Sequence, residues 1–436
     1  METYGQILNI AMPVFLVFVL TEKAYGWWYK RHPFRIMDTL SSLSSGLTNV
    51  LKDVLGLSIS VISYEWMVEH LAMTSTRDSF WMYIIAFLAL DFSGYWVHRI
   101  SHRVNFFWNR HLIHHSSEEF DLACALRQSI SVFVHLFTFL LLPAALLGVP
   151  VAVIAIVAPL HLFAQFWYHT IYIDKMGWLE HIIVTPSHHR VHHAINPLYI
   201  DKNYGNIFIF WDKWFGTFQE ELPDHPPVYG ITKPVRTWNP IRINFQHLWL
   251  LFRDAWYTNS WRDKLRIWWM PTGWRPADAA ARFPVNYIDD IYDFEKYETG
   301  SSPARTAWTA AQFIFTFLLM SWLFAHIADI GSPDIFTYGG FLFSSIYAFA
   351  ENMDHSPSAW AWEGAKSLLG LGLLYQQQGN WFRLDDLLPG LSLCIGFWLL
   401  LSPVVTAYFC YAPAERAGLQ AVKAKAAWPA AGRDVR

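Results

Sequence analysis

Charge is what this 436-residue chain has least of: Asp, Glu, Lys and Arg together make up 15% of it, against about 25% in an ordinary soluble domain. The shortage excludes a large solvated surface. Hydrophobic residues reach 54% and aromatics 18%, so the composition is that of an integral membrane protein. The net charge of -3, with no basic stripe carrying interleaved aromatics, argues against a nucleic-acid partner. Cysteine is scarce too. Cys124, Cys394 and Cys410 have neither metal nor redox spacing, and they read as small apolar packing residues. No internal repeat or low-complexity tract divides the chain. The first apolar stretch, Ile7 to Leu20, lacks the basic residues that precede the core of a cleavable leader.

Basic residues follow that stretch instead, at Lys23, Lys30, Arg31 and Arg35, which makes it an uncleaved first span with its amino end outside. Further apolar windows fall at Val54 to Met73, Phe80 to Val97, Ile130 to Leu147, Val151 to Tyr168, Ala310 to Ile330, Ile335 to Ala350, Ser367 to Tyr375 and Leu388 to Phe409. The window from Ser367 to Tyr375 is short for a crossing that takes roughly 20 residues. If all nine cross, the cytoplasmic side receives the loop around Lys30, the stretch from Arg99 to Arg127, the segment from Thr170 to Trp308, and a tail with Arg416, Lys423, Lys425, Arg433 and Arg436. The other side has little beyond Arg77 and Arg383. The expected architecture is an all-α, multi-span helical bundle: amino-terminal spans (1–79), a core that carries the histidine motifs (80–222), a cytoplasmic cover rich in Pro and Trp (223–308), and carboxy-terminal spans with a basic tail (309–436). The stretch NYGNIFIFWDKWFGTF within the core predicts an amphipathic helix lying on the membrane surface.

What the chain does have is histidine, 19 in all. The organising stretch is TPSHHRVHH, Thr185 to His193, in which His189, His192 and His193 repeat the H-x-x-H-H spacing of His111, His114 and His115. His98 and His102 form an H-x-x-x-H before them. Residues three and four apart share a helix face, so each group aims imidazoles at a common point. A lone histidine on an apolar face is usually a satisfied core residue, but three such groups predict a polyhistidine metal centre. His169, at the inner end of the Val151 to Tyr168 window, is a good ninth ligand. His188 is turned about 100° from His189 and is either a tenth ligand or a donor behind the ligands. His135 and His161 lie farther into the bilayer and read as interhelical hydrogen-bond partners. Asp91, two helical turns before His98, either fixes a ligand imidazole by accepting its hydrogen bond or makes a helix–helix contact. Glu118, Glu119 and Glu180 read as a solvated face or helix caps.

Nine imidazoles exceed what one metal holds, so two ions are implied, and nitrogen-rich sites suit iron, zinc, copper or nickel. A redox-active pair beside a bilayer suits oxygen activation; a pair of zinc ions stays open. The stretches HRISHRVNFFWNRHLIHHSSEEFDLACALRQS, QFWYHT and TPSHHRVHHAINPLYIDKNYGNIFIFWDKWFGTFQEE resemble the fatty acid hydroxylase and sterol desaturase superfamily, and within it the alkylglycerol monooxygenase branch with its bacterial relatives. The resemblance covers about Asp91 to Glu221. It implies two irons on His98, His102, His111, His114, His115, His169, His189, His192 and His193, molecular oxygen as oxidant, and a lipid substrate to be hydroxylated, desaturated or cleaved at an ether. Tetrahydrobiopterin is the reductant in part of that branch. Arg103 follows His102 where the mammalian enzyme has glutamate, and no H-P-G-G cytochrome b5 motif is present, so a separate electron donor is expected. Two other classes place histidines on spans: a cytochrome b-type haem protein, whose axial ligands come singly from facing helices, and a metal transporter, whose ligands lie at mid-membrane.

Overall fold

The computed structural model describes residues 2–30, 32, 34–74 and 79–412. The chain opens with α1 (Glu2–Tyr25), which runs into a π-turn at Gly26–Lys30. Next comes α2 (Ile36–Val54), a helix that buries Ser41, Ser42, Ser44, Ser45 and Thr48. Three of these hydroxyls donate to carbonyls, Ser41 to Trp238, Ser45 to Gln128 and Thr48 to Ser45, and Ser42 accepts from Arg127. The short strand β1 (Ile59–Ser60) pairs in parallel with β2 (Val134–His135). Between them lie α3 (Tyr64–Leu71), α4 (Phe80–Arg103), α5 (Asn105–Trp108) and α6 (Leu112–His115). After β2 come α7 (Leu142–Leu146), α8 (Val151–Phe163), α9 (Pro186–His193) and α10 (Phe210–Trp214). The cover carries α11 (Pro240–Tyr257), α12 (Trp261–Arg266) and α13 (Ala277–Arg282). The chain then makes α14 (Pro303–Ala325), α15 (Ile327–Ile330), α16 (Asp334–Met353), α17 (Ala359–Gln376) and α18 (Leu391–Tyr411).

Among the described residues four helices are long and apolar enough to cross a membrane: Gly5–Lys30, Phe80–Arg103, Pro303–Ala325 and Leu391–Tyr411, with shorter apolar helices at Phe137–Leu146 and Val151–Phe163. The structure therefore corrects the nine-window expectation. The window from Val54 breaks where Gly56 takes φ +64°. Ile59 and Ser60 then extend into β1, a strand rather than a helix. The window from Ile130 breaks because Ser129 and Ser131 are drawn to Asn244 and Asn109, and because its next residues form β2. The short window from Ser367 is part of an 18-residue helix, α17. The basic tail and Arg77 lie outside the described residues.

Among the described residues the two largest apolar clusters lie on different sets of helices. One joins α1, α2, α14, α16, α17 and α18 through residues such as Met12, Leu51, Met320, Phe341 and Leu399. The other joins α3, α4, α7 and α8 through Tyr64, Met67, Ala86, Val153 and Val157. Inside the first, Lys366 and Glu363 form a fully buried ion pair that Ser402 joins at 3.1 Å from the ammonium. A buried charge in a helical bundle persists only when paired and hydrogen-bonded in this way.

Candidate metal centre

The inner end of α4, the turn around α6, the chain after α8 and the whole of α9 meet at one place. Pro186 supplies the first turn of α9, where a missing N–H is tolerated, and Thr185 precedes it in extended backbone. On α9 the residues His189 and His193 stand one turn apart and His192 points elsewhere, because adjacent positions differ by about 100°. The two H-x-x-H-H motifs divide in the same way. His111 and His115 join one group while His114 joins another; His189 and His193 join the second group while His192 joins the first.

The result is a set of five, His98, His102, His111, His115 and His192, and a set of four, His114, His169, His189 and His193, each with its ligand atoms within 4.8 Å of one another. In the first set the Nε2 atoms of His98 and His111 are 2.9 Å apart, those of His102 and His115 3.1 Å, and those of His111 and His115 3.0 Å. In the second, His189 to His169 is 2.8 Å, His193 to His114 3.0 Å and His193 to His189 3.0 Å. The remote nitrogens fix the tautomer. His98 Nδ1 donates to the Tyr204 carbonyl at 2.8 Å, His192 Nδ1 to Lys202 at 2.9 Å and His169 Nδ1 to Gln165 at 3.0 Å. A neutral imidazole that donates through Nδ1 has only a lone pair at Nε2. Facing lone pairs about 3 Å apart repel unless a cation lies among them, and about 3 Å is the edge of a polyhedron with metal–nitrogen bonds of about 2.1 Å. The residues therefore fit metal. His192 Nε2 is buried with no hydrogen-bond partner, as such a ligand would be.

Electrostatics agrees with that reading. Burial first, and neighbouring imidazoles second, hold His111, His115, His189 and His193 well below the usual imidazole range, and burial lowers His169 to about 4. Neutral imidazole is the ligand form. The same spacing leaves no room for a macrocycle between paired axial ligands, which removes the reason to invoke haem.

The other sequence candidates lie apart from the two sets. Asp91 is fully buried but accepts from no ligand imidazole; its partners are His161 Nε2 at 2.8 Å, the Ile207 and Phe208 amides and the Trp211 indole. It ties α4 to α8 and α10, so the helix–helix alternative holds and the imidazole-orienting one does not. His161 is thus an interhelical partner as expected, whereas His135 sits exposed in β2. His188 faces away, its Nδ1 accepting from the Thr185 amide at 3.4 Å. Glu180 accepts from Thr185 and Ser187, at the start of α9. The stretch expected as a surface helix makes only the five-residue α10 and wraps α4 through Trp211. Sequence reading missed the loop 201–205. Its carbonyls hold His98 and His192, Asp201 Oδ1 stands 3.7 Å from His102 Nδ1, and Asp212 anchors the loop by accepting from the Tyr204 and Gly205 amides at 2.7 Å. The signal was present: Asp201 and Asn203 take φ +62° and +54°, a conformation those residue types favour.

A cavity of about 370 Å³ reaches the imidazoles from the cover side, touching His102, His115, His192 and His193. Its other walls mix Trp108, Leu112, Ile195 and Leu250 with Asn105, Lys233 and Gln246. That volume suits a small organic group more than a bare ion.

Comparison with known proteins decides the family. A profile described as fatty acid hydroxylase matches residues 83–217, and alkylglycerol monooxygenase of Homo sapiens is 33% identical over 91% of this chain and 90% of its own length. The chain belongs to the fatty acid hydroxylase family. Alkylglycerol monooxygenase of Xenopus tropicalis is 32% identical over 85% of this chain and 83% of its own. An ornithine lipid hydroxylase of Rhizobium tropici is 26% identical, over 35% of this chain and 46% of its own. No solved structure matches the chain. As a fatty acid hydroxylase family member with apolar spans, the protein is an oxygen-dependent lipid oxygenase of the membrane, in a family whose members depend on iron. Its two histidine sets are the place where metal can be held.

Proposed function

We propose that this protein is a di-iron monooxygenase that inserts one oxygen atom of O2 into a lipid C–H bond. The observation that carries the reading is the division of nine imidazoles into adjoining sets of five and four. One iron is assigned to His98, His102, His111, His115 and His192 and the other to His114, His169, His189 and His193. Iron supplies the oxygen activation when bound. The chain's own residues do the rest: the loop 201–205 orients His98 and His192, and Phe120, stacked on His169 and Tyr229 and edge-on to His193, covers the set of four. The cavity beside His102 and His115 is assigned to the reacting part of the lipid.

An ether lipid is the proposed substrate, because similarity extends over nine-tenths of a named alkylglycerol monooxygenase and is not confined to the histidine core. Oxidation of the carbon next to an ether oxygen gives a hemiacetal, which falls apart to an aldehyde and an alcohol. Two electrons and two protons reduce the second oxygen atom to water. They are assigned to a separate donor, with tetrahydrobiopterin as the candidate, and the site is assigned to the cytoplasmic side, which the basic loops favour. The test is iron content and lipid product on one anaerobically purified preparation. Close to two irons per chain, with an oxygenated or cleaved ether lipid after O2 is admitted, is expected; full activity at one iron per chain, or at two zinc ions, would defeat the di-iron assignment.

A further inference from the structure

The cover looks, from its sequence, like an irregular lid of prolines and tryptophans; its structure has two unlike faces. On α11 the inner positions Asn244, His247, Leu251 and Asp254 are buried, and Gln246, His247, Leu250 and Leu251 wall the cavity. The outer positions Phe245, Trp249, Phe252 and Trp256 follow at spacings of four, three and four residues, which draws one aromatic stripe along the helix. Trp249 is 69% exposed and Trp256 79%. The stripe continues on α12 and beyond, where Trp261 is 77% exposed, Leu265 71% and Trp269 65%. Patches of this kind on a folded surface mark a place where something docks.

We infer that the outer face of α11 and α12 rests in the headgroup and acyl boundary of the bilayer, so that the cover is a membrane-interface platform rather than a lid in water. Continuity carries the choice of a bilayer as the occupant. Trp269 meets Phe107 at 6.0 Å between ring centres, Phe107 meets Phe137 at 4.8 Å, and Phe137 opens the apolar helix Phe137–Leu146, whose Phe139 is 49% exposed. One apolar surface thus runs from that apolar helix across to the cover. Residue type points the same way: tryptophan is enriched at the membrane boundary, where the ring sits in lipid and the indole N–H finds a headgroup acceptor. Among the described residues no hydrogen bond uses the indole N–H of Trp249, Trp256, Trp261 or Trp269. In this arrangement α11 separates the cavity from the bilayer by one helix diameter, and a lipid reaches the cavity from headgroup depth.

Spin labelling tests the placement without relying on catalysis. Trp249→Cys, Trp256→Cys and Trp261→Cys are made one at a time in a full-length chain whose Cys124, Cys394 and Cys410 are replaced by alanine, with Asp224→Cys as an exposed reference. Each is labelled with a nitroxide and placed in phosphatidylcholine vesicles containing some phosphatidylglycerol; unchanged bound metal confirms the fold. Labels at the three tryptophan positions should collide more often with dissolved oxygen than with a water-soluble nickel chelate, and the label at 224 should do the reverse. Ready access of the chelate to positions 256 and 261 would overturn the inference. Exclusion of both reagents, with spin–spin broadening between labels, would overturn it in favour of a contact between two copies.

Discussion

The two imidazole sets are made from the same motifs yet are kept in different surroundings. The set of five is held from behind by a loop, through carbonyls of Tyr204 and Lys202 and the carboxylate of Asp201, and two of its members, His98 and His111, are only half-buried. Its His102, His115 and His192 also touch the cavity. All members of the set of four are buried, packed under Phe120 and Tyr168, and only His193 reaches the cavity wall. The difference teaches a division of labour: one imidazole set is accessible and held by a loop, the other is sealed and set by helix packing.

The largest effect separates the sets outright. His115→Ala opens the accessible set and His169→Ala the sealed one, so each should lose turnover to background while bound iron falls from about two to about one per chain. Were His169→Ala to release both irons, the sets would be one coupled site and the comparison would fail. A smaller effect tests the loop. Asp212 receives the Tyr204 and Gly205 amides and the Thr217 hydroxyl, so Asp212→Asn loosens the carbonyls behind His98 and His192 without touching a ligand. Loss of an orienting partner typically costs about 10- to 100-fold in metal affinity or activity. Iron titration should show that loss at one of two sites; an equal loss at both would remove the loop's special role.

How much of this was legible follows from which forces set each feature. Histidine spacing on α9 could be read because helix periodicity alone decides it. The exchange of His114 and His192 between sets could not be read, because it depends on how α6 and α9 are docked. Apolar windows misled at Val54 and Ile130, where backbone breaks outweigh hydropathy, and α2 hid as a buried helix because Ser41 and Ser45 bond to carbonyls of other segments. Asp91 stood open between orienting His98 and tying helices together, and docking decides for the second: α8, α10 and the chain just before α10 present four donors to it.

On the cover side of the cavity, His247 offers a pH-dependent contrast with the rings of the two sets. Its Nε2 donates to the Asn105 carbonyl at 2.9 Å, and burial lowers it to about 4, against about 6.5 for an unfolded histidine. Between those values the unfolded state binds more protons, so stability rises with pH. The contribution is therefore complete above about 6.5 and is lost as pH falls toward 4, by roughly 3 kcal/mol at one unit per 1.36 kcal/mol. His247→Gln keeps a donor and does not titrate. The stability gap between native and variant protein should change between pH 7.5 and pH 5; a gap independent of pH would mean the ring is not held neutral by the fold.

His188 gives the smallest effect and the sharpest limit on the ligand count. It stands beside His189 in the sequence, but its Nδ1 turns back to the Thr185 amide and hydroxyl, each at 3.4 Å, and its ring lies 5.6 Å from Phe218. That is the reciprocal contact of a helix start, in which the third residue of the helix accepts from the amide of the capping residue. Glutamine serves the same role in such starts. His188→Gln should therefore keep stability, iron and turnover near native values, whereas His188→Ala should cost about 1 kcal/mol of stability, the usual scale of a lost cap, with both irons retained. A metal ligand would behave otherwise, since neither glutamine nor alanine replaces an imidazole. Measured iron falling by one per chain in both variants would make His188 a tenth ligand, and the set of four would have to be redrawn to admit it.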